Sequence, residues 1–161
     1  MALSVILALG SNLGDKQQNI EIALDKIEER VGRITSLSAF YVTKPVGFHS
    51  EHNFVNCVCE VVLNIDIFTL FAISQSIEIE MGRSKKSING CYADRIIDID
   101  LIMAGDLIVD TPELTIPHPA FHTRDFVLTP LCEIAPDMVH PIFGKTIRRL
   151  KEELDRMQSV E

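Results

Sequence analysis

The chain has 161 residues, the size of one domain, and carries 23 acidic against 15 basic groups for a net charge of −8. That sign excludes a general nucleic-acid binder, which needs a broad basic surface to displace counterions from phosphates. With 47% hydrophobic and 24% charged residues, no Trp, 2 Tyr and 8 Phe, it is a globular chain with a mostly aliphatic core.

Residues 4–9 form a short apolar run ended by Gly10-Ser11-Asn12-Leu13-Gly14, which predicts a buried strand and a turn. Asp15 followed by Gln18 is a helix-start pattern. Ile20, Ala23, Leu24, Ile27 and Val31 then trace one helical face, closed by Gly32. Residues 35–42, β-branched and aromatic, predict a strand. Residues 43–53, with Pro45, Gly47 and two His, predict a loop. Residues 54–65 predict a strand with Val55, Cys57, Cys59, Val61 and Leu63 on one face, and Phe54, Asn56, Val58, Glu60 and Val62 on the other. Asp66 caps the next helix, striped by Leu70, Ile73, Ile77 and Met81 and stopped by Gly82. A polar, basic loop over 84–94 leads to a strand over 96–104 and a short strand over 106–111. Residues 112–119 are extended and proline-punctuated. Residues 125–134 predict a helix with Pro130 near a break. Residues 146–157 predict a terminal helix with Ile147, Leu150, Leu154 and Met157 facing in. The order β-α-β-β-α-β, with additions at its C-terminal end, is that of the ferredoxin-like, split βαβ arrangement, an α+β sandwich.

The longest charge-free stretches, residues 1–14 and 67–77, are too short to span a bilayer, and the first lacks the flanks of a signal peptide. Cys57, Cys59, Cys91 and Cys132 do not make a disulfide framework in a chain this long. The expectation is a reduced, cytoplasmic, single-domain protein over residues 1–161 without a membrane partner.

Asp98 and Asp100, within Ile96-Ile97-Asp98-Ile99-Asp100-Leu101-Ile102-Met103, point to one face of their strand, while Ile97, Ile99, Leu101 and Met103 point to the other. Two carboxylates beside an apolar face are costly to desolvate unless something pairs them. A hard divalent cation is one such partner, since Mg2+ takes one or two carboxylates plus substrate phosphates. A strand with a solvent-facing polar side is the other reading of the same pair.

Charge reverses just upstream. Residues 83–95 hold Arg83, Lys85, Lys86 and Arg95 against Asp94 alone, a net of +3 in a chain of −8. A basic loop running into an acidic strand suits a phosphate-rich ligand, and an ordinary solvated loop is the alternative. Pro117-His118-Pro119 and Arg124-Asp125-Phe126 put a His and an Arg six residues apart, both able to reach a phosphate. A structural His is the other reading of His118. Phe54 and Asn56 offer an aromatic face and an amide to a flat heterocycle, or else Phe54 packs beneath a loop.

Three other patterns fail. Gly10-Ser11-Asn12-Leu13-Gly14 lacks the Gly-Lys-Ser/Thr ending of a P-loop and the spacing of a dinucleotide fingerprint. His49 and His52 with Cys57 and Cys59 do not have zinc-site spacing, and the two Cys lie on the apolar strand face.

In order along nearly the whole chain, Gly10-Ser11-Asn12-Leu13-Gly14, Thr43-Lys44-Pro45-Val46-Gly47, Phe54-Val55-Asn56, Gly82-Arg83, Asp94-Arg95-Ile96-Ile97-Asp98-Ile99-Asp100, Pro117-His118-Pro119, Arg124-Asp125-Phe126 and Glu133-Ile134-Ala135-Pro136 resemble the 6-hydroxymethyl-7,8-dihydropterin pyrophosphokinase family of folate biosynthesis. The resemblance implies a ferredoxin-like fold and transfer of the β,γ-pyrophosphoryl unit of ATP to the hydroxymethyl group of the dihydropterin, with release of AMP. It implies two Mg2+ ions on Asp98 and Asp100, and Arg83 and Arg95 as catalytic cations on the migrating phosphates. Lys85, Lys86, His118 and Arg124 would assist in binding ATP, with Gln75, Glu78, Tyr92 and Ile99 also on its side. The pterin would lie between Phe54 and Phe126. Asn56 would read its edge, with Thr43, Pro45, Val46 and Asp98 around it. A monomer or weak homodimer is expected.

The chain departs from the family at three places. Tyr92-Ala93-Asp94-Arg95 stands where an aromatic-Gly-Pro-Arg is frequent, Phe54 where many relatives carry Tyr, and Lys85 where Arg is common. The loops over 43–53 and 84–94 are expected to close over the substrates. A non-catalytic module that senses a nucleotide or pterin would use the same pocket without turnover. The paired aspartates and arginines favour the enzyme, and a scaffold acting through its acidic surface has no motif behind it.

Overall fold

The computed structural model describes residues 3–44, 53–82 and 95–159. In chain order its elements are β1 (Leu3–Ser11), α1 (Lys16–Arg30), β2 (Gly32–Leu37), β3 (Tyr41–Thr43), β4 (Phe54–Leu63), α2 (Ile67–Glu80), β5 (Asp98–Ala104), β6 (Val109–Asp110), β7 (Thr115–Ile116), a 3-10 turn (Phe121–Thr123), α3 (Asp125–Ile134) and α4 (Ile147–Ser159). The first two helices start where short acidic side chains satisfy free N–H groups. Asp15 accepts from the Gln18 N–H at 3.1 Å. Asp66 accepts from the Phe68 and Thr69 N–H groups at 3.0 and 2.9 Å.

The strands form an antiparallel sheet in the order β2-β4-β1-β5, with β3 also pairing β4, and β6 and β7 form a separate small hairpin. The sheet is apolar on both faces. One face of β1, β4 and β5, with Leu7, Cys59 and Leu101, packs on Ile20, Ile27, Leu70 and Ile77 of α1 and α2. The other, with Ile6, Val58 and Ile102, packs on Phe121, Leu128, Leu131, Ile147 and Leu150 around α3 and α4. Among the described residues, no helix is long and apolar enough to cross a membrane.

Several boundaries differ from the sequence expectation, each for a physical reason. Gly32 opens β2 instead of ending α1. A Cβ there would stand 1.9 Å from the Val62 carbonyl oxygen, so the close approach of two strands requires Gly. The strand expected over 35–42 is split after Leu37. Ser38 there both donates its N–H to Val58 and accepts the Val58 N–H on its hydroxyl, each at 2.9 Å. The last strand of the sheet begins at Asp98, not at Ile96.

Met103 joins the α3/α4 core, not the face of Ile99 and Leu101. The register shifts between Ile6 and Leu7, and the extra residue on β5 turns the alternation over. Pro130 lies inside α3 without ending it. It has no N–H to donate to the Phe126 carbonyl, and its buried position in the core outweighs that loss. Met157 is 70% exposed: α4 outruns the surface it packs on, and burial stops at Leu154.

Candidate active site

Strand register builds the floor of the site. Asn56 of β4, Gly10 of β1 and Asp98 of β5 form one row across the sheet, and Val58, Ala8 and Asp100 form the next. An open cavity lies over Ala8, Gly10, Asn56 and the two aspartates. Its walls are Thr43 and Lys44 at the end of β3, Phe54 at the start of β4, and Arg124 and Phe126 at the start of α3. Small residues on β1 are what keep this floor open. A Cβ on Gly10 would stand 2.7 Å from the Asn56 Oδ1. The Asn56 amide is buried and oriented, because its Nδ2 donates to the Thr43 hydroxyl at 2.7 Å.

The acidic side of the cavity is tightly coupled. Arg95, just before β5, pairs with Asp98 at 2.9 Å. Glu78, buried on α2, accepts the Ile99 N–H at 2.7 Å and so grips the edge strand between the two aspartates. Desolvation, then the negative charges of Asp98 and Glu78, push the Asp100 carboxyl far above the ordinary carboxylate range, against the pull of Arg124 and Arg95. Excess negative field on hard oxygen donors fits a divalent cation that keeps some water or takes substrate oxygens. Among the described residues, no group of three or more His, Cys, Asp and Glu is arranged to hold a metal by itself. Two carboxylates alone would leave such a cation's shell to be completed by water or substrate oxygens.

Arg124 caps α3 through its backbone and lies over the Phe126 ring at 5.8 Å, so cation and aromatic face enter the cavity together. His118 is half-buried. Its backbone N–H donates to the Ile102 carbonyl at 2.8 Å, and its ring Nδ1 accepts the Ala120 N–H at 3.2 Å. Desolvation and the nearby Arg124 lower its pKa to about 4, with Asp98 opposing. His118 is therefore a neutral imidazole near pH 7, a donor through Nε2 and not a cation.

Of the residues singled out from the sequence, Thr43, Phe54, Asn56, Asp98, Asp100, Arg124 and Phe126 line this one cavity. Arg95 joins them through Asp98. Gln75 is exposed on α2, and the Ile99 side chain is buried in the opposite core. Pro45, Val46, Arg83, Lys85, Lys86 and Tyr92, and most of the two loops expected to close, lie outside the described residues. Cys57 and Cys59 are free thiols in the α1/α2 core, and burial pushes both up, Cys57 to about 12. Sequence reasoning missed Gly10 and Lys44 as lining residues. Gly10 belongs to the Gly-Ser-Asn-Leu-Gly segment and Lys44 to Thr-Lys-Pro-Val-Gly, but Gly10 acquires its role only from the strand opposite it.

A family model described as 7,8-dihydro-6-hydroxymethylpterin-pyrophosphokinase (HPPK) matches residues 6–136. A Porphyromonas gingivalis protein named 2-amino-4-hydroxy-6-hydroxymethyldihydropteridine pyrophosphokinase is 45% identical over 138 residues, 85% of this chain and 93% of that protein. An Aquifex aeolicus protein of the same name is 36% identical over 150 residues, 93% of this chain and 91% of that protein. Among solved structures, wild-type Plasmodium falciparum HPPK-DHPS is similar with a TM-score of 0.79 at 17% identity, over 99% of this chain and 46% of the solved one. That likeness is one of fold, and the chain spans less than half the length of the solved chain.

Proposed function

Because the chain belongs to the 7,8-dihydro-6-hydroxymethylpterin-pyrophosphokinase family, we propose that the cavity over β1, β4 and β5 is where it performs that family's reaction. The enzyme transfers the pyrophosphoryl group of ATP to the hydroxymethyl group of 6-hydroxymethyl-7,8-dihydropterin in folate synthesis, and AMP is the other product. The observation that carries the site assignment is the meeting of an aromatic-and-amide half with a carboxylate-and-arginine half in one cavity.

In this reading the pterin lies between Phe54 and Phe126, and Asn56, held by Thr43, reads its edge. Pro45 and Val46 complete that end, and Asp98 borders it. The triphosphate lies on the other side, toward Arg95, Arg124 and His118. Arg83, Lys85, Lys86 and Tyr92 are assigned to ATP from the basic segment, Gln75 and Glu78 from α2, and Ile99 through its backbone alone, since its side chain is buried in the α1/α2 core. Asp98 and Asp100 would hold Mg2+, two ions in all, which supply charge neutralisation on the phosphate oxygens. The pterin hydroxyl oxygen forms a bond to the β-phosphorus as the bond from that phosphorus to the bridging oxygen, which leaves with AMP, breaks, and the hydroxyl proton is released to water. Arg95 and Arg83 stabilise the charge that develops on the transferred oxygens. No side chain needs to form a covalent intermediate, so none is assigned as a nucleophile.

The strand order β2-β4-β1-β5 with two helices on one face supports the ferredoxin-like assignment. Residues 1–161 are proposed to act as one pyrophosphokinase domain, cytoplasmic, as a monomer or weak homodimer. Incubation with ATP, Mg2+ and the dihydropterin should yield AMP and the pterin diphosphate in equal amounts. Asp98→Ala and Asp100→Ala should nearly abolish it, and Arg95→Ala should raise the barrier by about 2–4 kcal/mol. Formation of ADP, or full turnover by either aspartate variant, would overturn the assignment.

A further inference from the structure

Asn12 belongs to a turn without any phosphate-loop pattern, yet its side chain is fully buried. It lies just past the end of β1, where the paired register with β5 stops at Gly10 and Asp98. There the Asn12 N–H donates to the Arg95 carbonyl at 3.0 Å, and the Arg95 N–H donates back to the Asn12 Oδ1 at 2.6 Å. Two residues facing each other in an antiparallel ladder exchange two backbone bonds. Here a side-chain amide supplies one of the two acceptors, and the exchange continues beyond the strand end. Arg95 is held in this way beside Asp98, with its side chain 12% exposed and its guanidinium 2.9 Å from that carboxylate.

We propose that Asn12 is a positioning residue for pyrophosphoryl transfer: its side-chain oxygen fixes the backbone of Arg95, and so fixes where the Arg95 guanidinium meets Asp98 and the transferred phosphates. This rests on the role assigned to Arg95 above. Arginine is long, so the placement of its head depends on a firmly held backbone. Asn and Asp alone carry an amide- or carboxylate-type oxygen at this reach from the backbone. Removing that oxygen leaves the Arg95 N–H without this acceptor, and the segment shifts to find another. A displacement of about 1 Å at a reacting group can cost on the order of 100-fold in rate.

The test is a cycle of kcat values for the wild type, Asn12→Ala, Arg95→Ala and the double variant, at saturating ATP, Mg2+ and dihydropterin. Asn12→Ala should lower kcat by about 10-fold or more, with the dihydropterin KM unchanged within about twofold, because Phe54 and Asn56 are untouched. The double variant should be no slower than Arg95→Ala alone, and Asn12→Asp, which keeps an acceptor oxygen, should recover most of the lost rate. Multiplying effects in the double variant mean that Asn12 acts independently of Arg95, and overturn the proposal. A fall in stability with unchanged kcat overturns it too. If Asn12→Ala does not fold, Asn12→Leu, which fills the same space without an acceptor, takes its place in the cycle. Wild-type turnover by Arg95→Ala removes the underlying role of Arg95 and is told apart from failure of the Asn12 link by that single variant.

Discussion

Gly10 and Asn56 stand opposite each other on β1 and β4, so close that a Cβ on the first would lie 2.7 Å from the side-chain oxygen of the second. The amide is tied on its other side to Thr43 and has little freedom to retreat. Gly10→Ala should displace it and raise the dihydropterin KM by about 10- to 100-fold. Overpacking should cost about 1–3 kcal/mol of stability. Steady-state kinetics with varied pterin measures the first effect. An unchanged KM would show that Asn56 does not read the pterin.

Glu133, a residue of the Glu-Ile-Ala-Pro motif, reaches from α3 to the break between β2 and β3. Its carboxylate accepts the Ala39 N–H at 3.1 and 3.2 Å and the Tyr41 hydroxyl, which holds the Tyr41 proton more firmly than usual. β3 ends at Thr43, the partner of Asn56. Glu133→Gln should weaken this clamp and raise the pterin KM by about 2- to 10-fold, the worth of one hydrogen bond, with little change in the ATP KM. Equal changes for both substrates would argue for a general loss of structure.

His118 gives the fold an acid-sensitive point. Its pKa is about 4 in the folded chain against an ordinary value near 6.5, so between these values the unfolded chain binds more protons. Its contribution to stability is complete above about pH 6.5 and is lost as pH falls toward 4. Denaturant melts at pH 7.5 and pH 5 should show wild type losing more stability on acidification than His118→Asn. If the two lose the same amount, a buried neutral His118 is not the cause.

Phe121 is fully buried where the 3-10 turn meets α3 and α4, and its ring stacks on His140 with centroids 5.4 Å apart. Phe121→Ala should cost about 3–5 kcal/mol in chemical denaturation, because the surrounding helices cannot close the cavity completely. A loss below about 1 kcal/mol would mean that α4 repacks freely.

Periodicity and caps are local properties, and they were readable in the chain. The two helix starts at Asp15 and Asp66, the apolar stripe of β4, and the shared face of Asp98 and Asp100 all follow from spacings of two to four residues. The ordered motifs also carried the family and most of the cavity's lining. Register between strands distant in sequence is not local, and it decided the rest. It set Gly10 between Asn56 and Asp98, turned Met103 to the other core at a bulge, joined Asn12 to Arg95 across 83 residues, and brought Glu133 to Tyr41 across 92. Hydrogen-bond partners of this kind exist only once the sheet has chosen its alignment, because the side-chain period of two is satisfied equally by every even shift of a strand.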